Sequence, residues 1–185
     1  MKENSFLDLE DRKLFFESWL RLLSFVNDKY DIIEGFNHPT DPVGLNLDDV
    51  FKIREKLWDD VSIIDEYLQS EKLDSESFEI VSSWKKFIHK TFVIIRQLKK
   101  HCIFLDDDED IVYGVKGISN PIGEHIPRYP FICEVFLIPF KDKIVYDTFV
   151  NAPYMNVSIV GNMKKGVNDK YIQIKKEKGI TTRLE

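Results

Sequence analysis

The chain has 185 residues, 43% of them apolar and 31% charged, which suits one well-buried core or two small lobes sharing one and excludes wholesale disorder. The formal charge of −6 weighs against general nucleic-acid binding. Acids stand in the first residues where an apolar signal core would sit, and the most apolar helical stretch, Leu14 to Val26, is broken by Glu17 and Arg21. These features predict a chain that is neither secreted nor membrane-spanning. Cys102 and Cys133 lie in strand-like apolar runs and read as buried reduced thiols. A disulfide between them stays open, but a cytoplasmic location is the simplest reading.

In chain order, the first half reads as helices. From Lys13 to Asp28 the polar positions Lys13, Glu17, Arg21, Ser24 and Asp28 step by three and four, leaving a broad apolar girth around Phe15, Phe16, Trp19 and Leu20. Such a helix is central in the fold or covered by a partner subunit. Glu17 and Arg21 are spaced for a surface ion pair. A loop over 31–46, marked by Gly35, Pro39, Pro42 and Gly44, precedes a second helix from Leu47 to Trp58 capped by Asn46 or Asp48. A short third helix follows Ser62, with Ile64 and Leu68 inward. A fourth, capped by Asp74, gathers Ile80, Val81, Trp84, Phe87 and Ile88 on one face.

Near Thr91 the period becomes extended. Strand candidates are 92–95, 102–105, 111–118, 131–138, 144–149 and 155–160, separated by turn signals at 106–110, 120–123, 139–143 and 151–153. Several are apolar on both faces, so they are covered on both sides. A last helix carries Val167, Tyr171 and Ile174 and ends at Gly179, a left-handed cap. The fold class is α+β: an N-terminal helical lobe over 1–90, then over 91–185 a mainly antiparallel sheet or small barrel with a C-terminal helix, the two lobes forming one unit.

Catalytic and ligand-binding patterns are sparse. No phosphate-binding glycine loop occurs, and Gly114 and Gly117 read as close strand packing or bulges. His38, His89, His101 and His125 are far apart and lack metal-ligand spacing. The acidic run 106–110 lacks the glycine and distal Glu of a calcium loop and reads as a solvated hairpin turn. His101 and Cys102 are adjacent, but neighbours in a strand point to opposite faces, which gives a core thiol beside a surface histidine. Asp59-Asp60 and Asp65-Glu66 read as helix ends and solvent faces. No catalytic residue, metal ligand or cofactor is nominated.

Charge is unevenly spread. Lys85, Lys86, Lys90, Arg96, Lys99 and Lys100 occur within 84–101 with no acid. Lys164, Lys165, Lys170, Lys175, Lys176, Lys178 and Arg183 fall within 164–185 against three acids. The segments hold +6 and +4, so the remainder carries −16. If the last helix packs beside strand 92–98, the two segments join into one patch suited to phosphate backbone or an acidic protein. Lysines that merely solubilise a helix face and strand edges are the plainer reading.

The stretch Ile80-Val81-Ser82-Ser83-Trp84-Lys85-Lys86, then Phe92-Val93-Ile94-Ile95, Tyr113 to Ile118 and Leu137 to Asp147, with the closing Gly179-Ile180, is similar to an uncharacterised group of bacterial proteins of unknown function. The resemblance covers most of the chain. It implies a bacterial source and the helix-then-strand plan, and it carries over no site residues.

The first functional reading is a non-enzymatic binding or regulatory protein acting through protein contacts or self-association, with the helical lobe as the contact. The second is nucleic-acid binding, which asks Lys85, Lys86, Lys99, Lys175 and Lys176 to share a face. The third is an enzyme assembled from distant residues around His125, Arg128 and Tyr129. None involves a membrane.

Overall fold

The polar stripe of the first long segment becomes one face of helix α1, Leu9–Tyr30, in a computed structural model that describes residues 4–36, 38–106, 108, 110–151 and 161–184. Glu10 and Asp11 sit in its first turn, where negative charge suits the helix dipole, and the helix starts four residues earlier than the apolar periodicity indicates. Leu20, Leu22, Leu23 and Val26 are buried and Phe16 is partly buried, so the apolar girth is used in packing.

The chain divides into two units. One is Leu9–Lys85; the other joins the first eight residues to Lys86–Glu185. In the helical unit, α2 (Leu47–Asp59) begins where the Asn46 side chain accepts from the Asp48 backbone N–H at 2.9 Å, closing an N-cap. Helix α3, Ile63–Ser70, buries Ile63, Ile64 and Tyr67. Leu68, expected inward, is only half-buried, because Tyr67 rather than Leu68 occupies the inward position one turn on. Helix α4, Ser75–Ser83, is capped by the Asp74 carboxylate, which accepts from the Ser77 N–H at 3.0 Å. The unit's centre is aromatic: Trp19 stacks on Phe15 at 6.2 Å and meets Trp84 edge-on at 5.5 Å.

The fourth helix is shorter than its apolar face suggests. It ends at Ser83 in a single tight turn over Trp84–Lys86, and Phe87 and Ile88 are not helical. Strand β1 runs over Ile88–Gln97, because Ile88 through Ile94 pair residue by residue with Leu137 through Phe131 of a later strand. Pairing over seven residues outweighs three residues of continued helix.

The remaining strands are β2 (Cys102–Asp106), β3 (Ile111–Val115), β4 (Phe131–Phe140) and β5 (Lys143–Tyr146). They close into a barrel of order β1-β2-β3-β5-β4. Every neighbouring pair is antiparallel except β3 with β5. The return of β4 beside β1 after a three-strand meander is a Greek key. The register of β1 against β2 shifts between Ile94 and Arg96, and a bulge of this kind strengthens the twist that lets a short sheet curl shut. The strand expected at 155–160 lies outside the described residues.

Alternation explains why these strands are apolar on both faces. Phe92, Ile94, Cys102, Phe104, Tyr113, Val115, Cys133 and Val135 fill the barrel interior. Ile95, Ile103, Leu105 and Val112 point outward, where Tyr171 and Ile174 of α5 (Asn162–Glu177) cover them. Gly179, at φ +84°, terminates α5 as the sequence indicates. Both chain ends then dock beside β3. Gly117 pairs with the Phe6 segment through Leu7 N to Gly117 O at 3.0 Å, and Thr181 bonds Val112 and Gly114.

Candidate functional site

The described termini border a concavity of the barrel unit. Asn4, Phe6 and Asp8 form one wall and Thr182 and Arg183 another, around a groove of about 770 Å³. Its floor is Gly114 and Lys116 of the β3 segment, with Lys100 and His101 from the β1–β2 turn and Asp142, Lys143 and Ile144 from the β4–β5 turn. Gly114 lets the His101 ring lie close: a Cβ would stand 3.0 Å from that ring, which would have to give way. His101 therefore lies across the outer face of β3 while Cys102 enters the core.

Four cations, Lys100, Lys116, Lys143 and Arg183, face two carboxylates, Asp8 and Asp142. Lys116 Nζ donates to the carbonyls of Asn4 and Lys100, which fixes its head at the groove wall. Asp142 takes Lys143 at 2.7 Å and Arg183 at 3.7 Å, and its carboxyl is held below the usual value chiefly by the Lys143 hydrogen bond. The excess of positive charge extends to the whole unit. The first eight residues with 86–185 carry seventeen Lys and Arg against fourteen Asp and Glu, whereas 9–85 carry nine against eighteen.

Of the basic residues singled out in the sequence, Lys100 and Arg183 line this groove, together with His101 and Gly114. Arg96 and Lys175 both stand over the Tyr171 ring, 5.2 and 5.8 Å from its centre, so the last helix does pack beside β1. Arg96 also donates to Asn168. Lys90 is tied to the buried Asp106 at 3.0 Å. Lys85 belongs to the helical unit, paired with Asp65. Lys86, Lys99, Lys164, Lys165 and Lys176 are exposed.

The turn at 106–110 is less solvated than its composition suggests. Asp106 is 1% exposed, and Asp110 is paired with Lys170 at 2.8 Å, a hydrogen bond that keeps its carboxyl below the usual range. His125 and Arg128 are exposed, while Tyr129 turns its hydroxyl towards Cys102; burial pushes that phenol up to about 12. The three do not form an enclosed set. Asp60 accepts from Tyr30 and Ser62, and Glu66 pairs with Lys29, so these acids hold the helical unit together. Glu17 and Arg21 do not close to ion-pair distance. Among the described residues no three His, Cys, Asp or Glu side chains are grouped to hold a metal, and no helix is long and apolar enough to cross a membrane.

Lys116 and Lys143 share in the groove yet lie outside both basic segments of the sequence, and Arg183 enters it from the end of the second. Only barrel closure and the docked C-terminal residues bring them near Lys100. No protein-family model matches this chain, and no curated protein or solved structure is significantly similar to it.

Proposed function

We propose that this protein is a non-enzymatic binding module whose barrel unit holds single-stranded nucleic acid along the groove between the β1–β2 turn, the end of β3 and the β4–β5 turn. The observation that carries this reading is the cationic lining, Lys100, Lys116, Lys143 and Arg183, on the groove of a five-stranded Greek-key barrel. Small barrels of this architecture take oligonucleotides and oligosaccharides on the face of their second and third strands and on the loops after the first and fourth. Here α5 covers much of the β2–β3 face, so the ligand is confined to the loops and the end of β3. Phe6, half-buried on the wall, offers an aromatic ring on which a base can stack. A shared architecture alone does not assign a function, so the weight rests on the charge and shape of the groove.

Fluorescence anisotropy with a labelled single-stranded oligonucleotide tests this. Binding at low salt should weaken with a log–log slope of about −2 for three phosphates neutralised. The double variant K143E/R183E should lose at least tenfold in affinity. Absence of binding at low salt retires the reading.

A second reading, self-association through the helical unit, is favoured by one feature. Val43, Leu47 and Phe51 are 86%, 69% and 38% exposed, and Leu47 and Phe51 are one helical turn apart. Sedimentation would report a dimer that L47E/F51E dissociates; a monomer at high concentration dismisses it.

A further inference from the structure

The β4–β5 turn carries an acid that stands among the cations of the groove. Phe140 pairs with Lys143, so Lys141 and Asp142 alone make the turn. Lys141 takes it at φ +53°, a conformation that two-residue turns usually give to glycine. Such backbone persists where the surroundings enforce it, and the strand pairing from Leu137 with Tyr146 to Phe140 with Lys143 does so here. A turn this short has no slack, and it sets Asp142 on the groove lining beside Lys143.

The Asp142 carboxylate is engaged at both oxygens. Oδ1 accepts from Lys143 Nζ at 2.7 Å, and Oδ2 stands 3.7 Å from Arg183 Nη2. Arg183 arrives on the segment that Thr181 ties to β3. One anion between two cations, with an oxygen towards each, is how a backbone phosphate would be held there. Exposed ion pairs add little to stability, and the Asp142 and Arg183 side chains are 58% and 70% exposed, so the arrangement does not hold the fold together. Its effect falls on the groove: Lys143 and Arg183 already hold an anion that belongs to the chain.

We propose that Asp142 is a specificity residue of the groove, a carboxylate seated where a phosphate would sit, which a chain of linked phosphates displaces and a single anion does not. The inference rests on the reading of the groove as a site for nucleic acid. A carboxylate on the same chain competes at high effective concentration. A lone phosphate gains little against it, since one anion merely replaces another. A strand also reaches Lys100 and Lys116 with the phosphates that flank the one exchanged. A carboxylate seated about four-fifths of the time weakens every ligand about fivefold.

Two titrations of the full chain test this: anisotropy with a labelled single-stranded oligonucleotide, and phosphorus NMR with inorganic phosphate. Wild type should show no saturable phosphate site. D142N should gain one, and should bind the oligonucleotide about fivefold more tightly. In a K143Q/R183Q background D142N should alter neither, because the seat itself is gone. The proposal is overturned if wild type already holds phosphate, if D142N gains no phosphate site, if the oligonucleotide binds both proteins equally well, or if the gain persists in the K143Q/R183Q background. If D142N gains phosphate while neither protein takes the oligonucleotide, the exclusion of single anions by Asp142 stands and the nucleic-acid reading falls. Melting temperatures of wild type and D142N should agree, and D142S repeats the test should D142N misfold.

Discussion

At the scale of single residues, burial dictates the behaviour of the titratable groups inside the barrel. Desolvation pushes the thiols of Cys102 and Cys133 from 9.0 up to about 12, and the phenols of Tyr129 and Tyr146 from 10.0 up to about 12. All four keep their protons in the folded state at pH values where an unfolded chain begins to lose them. Their contribution to stability is therefore full below about pH 9 and is lost as pH rises towards 12. Urea midpoints should be flat from pH 7 to 9 and fall steeply above. At pH 8 neither thiol should react with an aromatic disulfide reagent until denaturant is added. The assignment of both cysteines as buried thiols was open to reading from their strand-like neighbours, and both are free and buried. Gly117 was legible only as a close approach of some kind. Its reason is local but three-dimensional: a Cβ would stand 1.8 Å from the Asn120 carbonyl.

At the scale of elements, periodicity located α1, α2, α5 and all five described strands, because each buries one face and repeats its pattern over several turns or pleats. It failed at the junction of α4 and β1. Trp84, Phe87 and Ile88 continue a helical spacing, but β4 supplies strand partners for Ile88 onward, and no local pattern can announce a partner more than forty residues away. The doubly apolar β2 correctly signalled a cover, and α5 is that cover. Replacing Ile174 with Ala removes a side chain that is 4% exposed and packs over Ile103, Leu105 and Val112. The cost should be about 2–4 kcal/mol by urea unfolding, with the far-ultraviolet spectrum at rest unchanged. A loss under 1 kcal/mol would mean that α5 is only loosely seated.

At the scale of the whole molecule, the net charge of −6 conceals an opposition between two units, the helical one strongly acidic and the barrel one basic. Sequence segments indicated an uneven spread, but the division became visible only once the first eight residues were grouped with the barrel. The chain should bind both an anion exchanger and heparin at low salt, despite a sequence pI near 5.3. K143E/R183E should reduce retention on heparin and leave the anion exchanger's hold at least as strong. Passage straight through heparin would show that the cations of the barrel unit do not act together. The groove was illegible in advance for the same reason that the two units were: its walls are the two ends of the chain, and the ends of a sequence look farthest apart when written in a line.

That last arrangement has a bearing on how the protein is made. Residues 5–7 are translated ahead of the helical unit, yet their partner Gly117 is translated only after that entire unit and three strands. The Thr181 segment, which flanks the same strand, follows only after β4, β5 and α5. The helical unit can mature while synthesis continues, whereas the barrel must hold its opening segment in waiting and seal with its closing one. A transcript truncated just after Lys85 would thus yield helices preceded by a short segment with no strand to bridge to.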